Sequence, residues 1–361
     1  MKVRATVILC SACALFLVAA CRSNPHYNPA KSHHTESGFR NNYAHPPKQS
    51  FWKWQWRRWT GELAQDPSGG YGFPLLKPDV DFLATNRSDP TLTWIGHASF
   101  LLQIGGVNVL TDPHLTGRAS PLSFAGPKRQ VEPAFSFDTL PHADAVIISH
   151  SHYDHLDRET VQRLNRQKGG APMFFVPLGL KHWFAAQGIS TVTELDWWES
   201  ADHMGVRFTL VPIQHWSART PWDANKTLWG SWVVEQPRLR FFFGGDFGYS
   251  QDLADIGKRF GRIDLAALPI GAYEPRWFMS VMHVNPEEAL HAMREINARY
   301  AVAMHWGTFR HTDELLDEPP RKLAAALENA GVAPQRFFVM QHGETRKLDF
   351  LMNATDDDAT R

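Results

Sequence analysis

The feature that most constrains how this chain can fold is a short run of metal-ligand residues in the middle of the sequence. Residues 150–155 read His-Ser-His-Tyr-Asp-His, so four side chains of ligand type lie within six positions. The apolar run before them, residues 145–148, predicts a buried strand, and helical spacing of apolar residues begins at Arg158. The four side chains would then lie on a loop at the carboxyl end of a strand, where α/β proteins place their sites. Imidazole and carboxylate groups suit Zn²⁺ or a similar cation; the alternative is a polar loop whose histidines only form hydrogen bonds.

Three more residues of ligand type, His215, Asp246 and His305, each follow a predicted strand. Each is a weak signal alone, because a single His after a strand is more often structural and an Asp after Gly-Gly is more often a turn residue. Together they complete the seven ligands of a dinuclear site, in which two cations lower the pKa of a shared water. We expect one metal to bind His150, His152 and His215, a second to bind Asp154, His155 and His305, and the two oxygens of Asp246 to bridge them.

Short strands and helices alternate along the chain from residue 91 onward. Strands are predicted at 91–95, 99–104, 107–110, 144–148, 174–177, 207–212, 230–235, 240–243, 265–269 and 301–304. Helices are predicted at 158–165, 180–186, 254–260, 285–297 and 320–329. Mixed strands in two blocks separated by helices predict an α/β fold, with two mixed sheets packed together and helices on the outer faces. We assign one catalytic domain to 91–352, a Trp-rich lead-in to 51–90 and a disordered tail to 353–361.

The N-terminal residues 1–21 have the pattern of a bacterial lipoprotein signal. Lys2 and Arg4 precede an apolar stretch that is too short to span a bilayer, and Val-Ala-Ala-Cys ends it at Cys21. We expect Cys21 to be lipidated and the protein to be a cell-envelope lipoprotein of the outer membrane, facing the periplasm; the alternatives are an ordinary signal peptide and an inert apolar start. Residues 22–50 are polar and predict a flexible tether, in which the histidines at 26, 33, 34 and 45 are solvated.

Composition excludes one class of function and narrows the ligand chemistry. Lys plus Arg equals Asp plus Glu at 37 each, which argues against nucleic-acid binding because that needs a basic excess. All three cysteines lie at or before position 21, so a zinc site in the domain must use His and Asp. The segment 51–59 interleaves Trp with Lys and Arg, which suits a bilayer interface or, equally, a peripheral segment whose indoles pack on the domain.

Several longer runs around these ligands resemble one known family. Thr-Trp-Ile-Gly-His-Ala at 93–98, Leu-Thr-Asp-Pro at 110–113, Gly-Pro-Lys-Arg at 126–129 and His-Trp-Gly-Thr-Phe at 305–309 are examples, and the likeness covers about residues 91–348. With the seven ligand residues, they resemble the metallo-β-lactamase superfamily and, within it, the N-acylphosphatidylethanolamine-hydrolysing phospholipase D family. The resemblance implies an αββα metallo-β-lactamase sandwich, two Zn²⁺ ions at the seven positions, and a functional His283 that protonates or orients a leaving group. Phe247 departs from the family, which commonly has Thr beside the bridging Asp, so the pocket is expected to differ there.

The resulting expectation is a zinc-dependent phosphodiesterase of phospholipase D type that hydrolyses N-acylphosphatidylethanolamine-like lipids through a hydroxide bridging two zinc ions. The alternatives are a metal-dependent hydrolase of another small substrate (a lactone, β-lactam or cyclic phosphodiester) and a non-catalytic envelope lipid-binding protein. The expected partners are a membrane phospholipid substrate, the bilayer surface through the lipid anchor and, as a possibility, a second copy of the chain. We assign catalysis to Asp154 and His283, orientation of the ligand imidazoles to Asp112, Asp157 and His97, and substrate binding to Tyr249 and Trp216. Turn capping is an equally open role for Asp112 and Asp157.

Overall fold

The computed structural model describes residues 23–47, 49–61 and 63–353, and in this part of the chain two seven-stranded sheets form the centre of the protein. The first sheet has the order β16-β3-β4-β5-β6-β7-β8. Its strands are β3 (Thr91–Gly96), β4 (Ser99–Ile104), β5 (Val107–Thr111), β6 (Ala145–Ile147), β7 (Met173–Pro177), β8 (Val192–Leu195) and β16 (Thr345–Lys347). β3, β4 and β5 are antiparallel neighbours, and β5 to β8 run parallel.

The second sheet repeats this mixture of antiparallel and parallel pairs, in the order β15-β14-β13-β12-β11-β10-β9. Its strands are β9 (Ser200–His203), β10 (Val206–Val211), β11 (Ser231–Gln236), β12 (Leu239–Phe243), β13 (Ile263–Pro269), β14 (Ala298–Met304) and β15 (Phe337–Phe338). β9 to β12 are antiparallel, and β12 to β15 are parallel.

The helices and one small hairpin complete the described part of the chain. The hairpin consists of β1 (His34–Thr35) and β2 (Gly38–Phe39). The helices are α1 (Phe51–Thr60), α2 (Val80–Thr85), α3 (Arg158–Asn165), α4 (Leu180–Ala186), α5 (Asp252–Phe260), α6 (Arg276–Met279), α7 (Pro286–Glu295), α8 (Glu318–Asn329) and α9 (Asp349–Asn353). Within the described ranges, none of these helices has the length and apolar character needed to cross a membrane.

Alternation of apolar side chains along the strands explains why both faces of the first sheet are buried. In β4, Phe100 and Leu102 enter the core between the sheets, whereas Leu101 points to the outer side with Val161 of α3. Phe175 of β7 stacks on a ring of the other sheet, Phe208 of β10, with centroids 4.2 Å apart. The predicted sandwich of two mixed sheets with helices outside is therefore confirmed.

Local signals located most elements correctly. Gly105 and Gly106 both adopt positive φ, at 57° and 80°, which joins β4 to β5 as the predicted hairpin. Asn285 caps α7 in a full capping box with Glu288, and Pro286 occupies the first turn. The sequence pattern missed β8 and β9, which are short and partly polar.

The predicted flexible tether is wrong for residues 24–42. Residues 24–42 lie on the domain, because Phe39 enters the main core and His33 and His34 are buried on the carboxylate of Asp196. Charge pairing with a distant residue carries no local sequence signal, so composition alone suggested a solvated segment. The signal segment 1–21 with Cys21 and the tail beyond Asn353 lie outside the described residues, and Asn353 itself ends α9.

Candidate metal centre

Four strand ends deliver the predicted ligands to one end of the sandwich. Residues 150–155 follow β6, His215 follows β10, Asp246 follows β12 and His305 follows β14. The loop after β6 belongs to the first sheet, and the loops after β10, β12 and β14 belong to the second. Packing of the two sheets therefore brings the ligand loops together. All seven predicted side chains converge there: His150, His152, Asp154, His155, His215, Asp246 and His305.

One cluster contains three imidazoles. His150 Nε2 lies 2.8 Å from His152 Nδ1, and His152 Nδ1 lies 3.4 Å from His215 Nε2. One ring nitrogen of each of the three residues lies within 4.8 Å of the other two. This is the grouping expected for the first metal.

The second cluster contains Asp154, His155 and His305. His155 Nε2 lies 3.2 Å from His305 Nε2, and each of these two nitrogens is 3.4 Å from Asp154 Oδ2. Asp246 lies between the clusters: its Oδ2 is 3.1 Å from His155 Nε2 and 4.0 Å from His150 Nε2, and its Oδ1 is 3.1 Å from His305 Nε2. The carboxylate therefore has the position of a bridge.

The donor set fits divalent metal ions. Ring nitrogens of several imidazoles point at each other in a buried space, where lone pairs without a hydrogen between them would repel unless a cation is shared. His and Asp donors are the ligands of zinc sites that contain no cysteine. Buried side-chain nitrogens near the clusters that lack a hydrogen-bond partner include His152 Nε2 and His283 Nδ1.

Electrostatics divide the imidazoles into two kinds. Burial lowers the pKa of His150 and His215 well below the usual range and that of His152 to about 3, which leaves these rings neutral with a free lone pair. For His305, burial acts in the same direction, but the carboxylates of Asp246 and Asp154 outweigh it and raise the pKa to about 9. A metal entering the second cluster must therefore displace a proton at neutral pH.

Hydrogen bonds to the ring nitrogens that face away from the clusters fix the orientation of two ligand imidazoles. Asp112 Oδ2 accepts from His155 Nδ1 at 2.6 Å, and the Met282 carbonyl oxygen accepts from His215 Nδ1 at 2.9 Å. His97 Nε2 lies 3.1 Å from Asp154 Oδ2. Such contacts select the tautomer that offers the other nitrogen to a metal. Asp112 thus contacts a ligand imidazole as expected, whereas the hydrogen-bond partner of His97 is the carboxylate of Asp154.

Asp157 does not occupy its predicted supporting position. Its side chain accepts from the Thr160 backbone N–H and caps α3, which is the alternative role that the sequence left open. A carboxylate one residue before a helix meets the free N–H groups of the first turn before it can reach a neighbouring loop.

Backbone conformation adds a second sign that this region is specialised. His97, Asp112 and His305 have positive φ angles of 55°, 32° and 62°, a region that residues other than glycine seldom occupy. Gly271 lies so close to the loop after β14 that a Cβ there would be 2.2 Å from the His305 carbonyl oxygen. Tight packing against Gly271 therefore holds the backbone of His305 in this conformation.

A cavity of about 630 Å³ opens above the clusters. Its floor includes Asp154, Asp246 and His305, and most of its wall is apolar, formed by Phe51, Trp54, Trp216, Phe278, Met279 and Met282. Trp216 and His283 both line this cavity, and their assignment to substrate binding and catalysis stays a prediction. His311 also lines the cavity, with Nε2 3.3 Å from Asp154 Oδ2. No strand directly precedes it, so no sequence pattern singled it out.

Two residues near the centre lie elsewhere than expected. Tyr249 is 39% exposed, its hydroxyl donates to Glu295, and it is outside the cavity lining, so its assignment to substrate binding is wrong. Phe247 is fully buried in the main core, so this departure from the family pattern alters packing under the loop of Asp246.

Comparison with known proteins agrees with this geometry. Residues 107–306 match the family model described as "Beta-lactamase superfamily domain". The chain is 43% identical over 247 residues to N-acyl-phosphatidylethanolamine-hydrolyzing phospholipase D 1 of Caenorhabditis elegans, covering 65% of this chain and 69% of the relative. It is 34% identical to the mitochondrial enzyme of that name from Saccharomyces cerevisiae, covering 71% and 56%. A possible metal-dependent hydrolase from Veillonella parvula aligns with a TM-score of 0.57 at 19% identity, over 72% of this chain and 100% of that structure.

Fold and site together define the class: this protein is a metal-dependent hydrolase of the metallo-β-lactamase superfamily. Within that class, the chain belongs to the N-acylphosphatidylethanolamine-hydrolysing phospholipase D family. The resemblance inferred from short motifs is therefore confirmed by alignment over most of the chain.

Proposed function

We propose that the protein is a zinc-dependent phosphodiesterase of phospholipase D type that hydrolyses N-acylphosphatidylethanolamine-like lipids. The observation that carries the proposal is the pairing of two ligand clusters with an apolar cavity of about 630 Å³ directly above them. An apolar wall accommodates acyl chains, and metal ions bound by the two clusters would attract the phosphate diester. The names of the relatives from Caenorhabditis elegans and Saccharomyces cerevisiae support the same substrate class.

In the proposed reaction, water adds to phosphorus and the bond from phosphorus to the ethanolamine oxygen breaks. The products are phosphatidic acid and an N-acylethanolamine, which takes up the proton. Two bound zinc ions would supply an activated water and stabilise charge on the phosphoryl oxygens. Asp154 acts as a ligand, since four imidazoles already surround its Oδ2: those of His97, His155, His305 and His311.

His283 lies in the cavity wall, where it can meet the leaving oxygen. Its Nδ1 is 3.9 Å from Asp246 Oδ2, beyond hydrogen-bond distance. Burial is the main reason that its pKa falls to about 4, so the ring is neutral at pH 7. A neutral imidazole still donates one N–H, which suits orientation and hydrogen bonding of the leaving oxygen.

The test is hydrolysis of N-acylated phosphatidylethanolamine by purified protein, with and without a chelator. We expect N-acylethanolamine release that a chelator abolishes and added Zn²⁺ restores. Phosphatidylcholine, a β-lactam and a lactone serve as comparison substrates in the same assay. Turnover of a comparison substrate without release from the N-acylated lipid would reject the proposed substrate and retain the hydrolase.

We further propose that the bilayer surface is the partner of α1. Trp54 faces inward and stacks on Phe278 with centroids 4.8 Å apart, whereas Trp52, Trp56 and Trp59 are 78%, 61% and 79% exposed. Phe51 at the start of the same helix lines the cavity. One indole of the segment thus packs on the domain, as one of the two interpretations of the sequence expected, and the exposed indoles would suit the headgroup region of a bilayer.

An anchor at Cys21 would place the domain close to that surface. Asn24, three positions later, already donates its side-chain N–H to the Gly38 carbonyl oxygen at 2.8 Å. Little free chain would therefore remain between a lipidated cysteine and the domain. An outer-membrane lipoprotein remains our proposal for the location.

Replacing Trp52, Trp56 and Trp59 together by Ser should weaken binding to phospholipid vesicles by about tenfold or more, because three large apolar side chains no longer leave water. Thermal stability should change little, since these side chains are exposed. Co-sedimentation with vesicles measures the effect, and Met204→Ser, an exposed apolar residue at the turn before β10, is the matched control. Equal vesicle binding by the triple variant and the parent would exclude this helix as the bilayer contact.

A further inference from the structure

Residues 24–42, which we call the N-terminal strap, lie against loops of the second sheet. Asn24 N–H donates to the Glu36 carbonyl oxygen at 2.6 Å, and the β1–β2 hairpin follows. Phe39 is buried in the main core, and its N–H donates to the Asn225 carbonyl oxygen at 2.8 Å. Asn225 belongs to the loop that carries Trp216 and Ala224 into the cavity wall. The strap therefore supports this loop from behind.

One carboxylate holds the strap to the domain. Asp196 accepts hydrogen bonds from His33 Nε2 at 2.7 Å, His34 Nε2 at 2.8 Å and Lys31 Nζ at 2.7 Å. The His33 ring also stacks on Trp197 with centroids 4.4 Å apart. Three donors from one short segment meeting one buried carboxylate form a specific attachment, because each loses its partner if the segment leaves.

Farther along the strap, the side chain of Asn41 forms two hydrogen bonds with the backbone of His215. Its Nδ2 donates to the His215 carbonyl oxygen at 3.1 Å, and the His215 N–H donates to its Oδ1 at 3.1 Å. The Trp229 indole N–H donates to the same Oδ1 at 3.2 Å, which fixes the amide in place. With the Met282 carbonyl oxygen on its Nδ1, His215 is held at both its peptide groups and its ring.

We propose that Asn41 is a positioning residue for the metal centre, and that the strap holds it there through the attachment at Asp196. The inference rests on the proposed role of His215 as a metal ligand. Residues that orient a ligand commonly change metal affinity by about 10- to 100-fold when removed. Asn41 acts on the peptide of His215, so its loss leaves the imidazole in the chain and shifts its placement. The N-terminal segment is thus part of the metal centre's support.

The experiment measures the Zn²⁺ dissociation constant by competition with a chromophoric chelator. Asn41→Ala should bind Zn²⁺ about tenfold more weakly than the parent. Asn329→Ala is the matched control, since this exposed amide ends α8, outside the strap. It should retain the affinity of the parent. His215→Ala serves as the reference for loss of the ligand itself.

The outcomes separate the inference from the proposed centre. Unchanged affinity in Asn41→Ala, with clear loss in His215→Ala, overturns the role of Asn41 and leaves the centre intact. Unchanged affinity in His215→Ala overturns both. If Asn41→Ala does not fold, Asp196→Asn tests the same inference, because it weakens the attachment of the strap while the Asn41 side chain stays unaltered. That variant should release Zn²⁺ to the chelator severalfold faster; an unchanged release rate overturns the proposal.

Discussion

The His305→Ala variant should lose metal-dependent hydrolysis by roughly a thousandfold or more. His305 Nε2 lies between the carboxylates, 3.1 Å from Asp246 Oδ1 and 3.4 Å from Asp154 Oδ2, so its removal opens the second cluster. A lost ligand removes about 4 kcal/mol of transition-state stabilisation, and each 1.36 kcal/mol is tenfold in rate. The comparison of kcat/KM, together with zinc content, measures the effect.

The pH dependence of zinc binding gives a second readout for the same variant. His305 has a pKa of about 9 without metal, so Zn²⁺ must displace its proton at pH 7. Affinity of the parent should rise between pH 7 and pH 9, by at most about tenfold per unit for this one proton. In His305→Ala, zinc affinity should lack the part of this increase that comes from the His305 proton.

Two further variants separate ligand loss from other effects. His305 has φ of 62°, and Asn tolerates this region better than Ala, so His305→Asn keeps the backbone while removing the imidazole. Exposed His182 on α4 provides a control, His182→Ala, that should match the parent. Near-parental activity in both His305 variants would show that this residue is not a metal ligand.

How far the fold follows from the sequence depends on whether an element is encoded locally. Gly105-Gly106 and the Asn285 capping box act through their own neighbours, so hairpin and helix could be placed from short patterns. β9 (Ser200–His203) has no apolar run and forms because β10 provides a partner. The order of strands within each sheet likewise depends on long-range pairing, which no local pattern specifies.

The candidate site shows the same division. Ligand residues after apolar strands could be found because strand ends meet at one edge of a sheet. The residues that hold His215 in position could not be found from the sequence. One contact is the backbone carbonyl of Met282, and the other is the side chain of Asn41, in a polar segment 174 residues away along the chain. Tyr249 was assigned to the site because it is close to Asp246 in the sequence. Its ring lies outside the cavity lining, and its hydroxyl donates to Glu295.

The His283→Ala variant should lower kcat by about a hundredfold while zinc content stays at the parental level. The ring lines the cavity, and its nearest approach to Asp246 Oδ2 is 3.9 Å, so it can act on substrate without holding the metal. General acid–base or hydrogen-bonding groups at such positions contribute about 10²- to 10⁴-fold. Single-turnover rates on N-acylated phosphatidylethanolamine, with metal analysis of the same samples, provide the measurement.

The pH dependence of kcat and the conservative variant His283→Gln show what kind of role His283 has in the reaction. With a pKa near 4, lowered mainly by burial, His283 is neutral at pH 6 to 8 and should add no pH dependence to kcat in that range. His283→Gln keeps an N–H donor and should recover part of the loss, whereas His291→Ala, an exposed histidine on α7, should match the parent. Loss of zinc from His283→Ala would instead make this residue a ligand, since its ring also lies close to His215 and Asp246. Parental kcat with full zinc content would remove it from the reaction altogether.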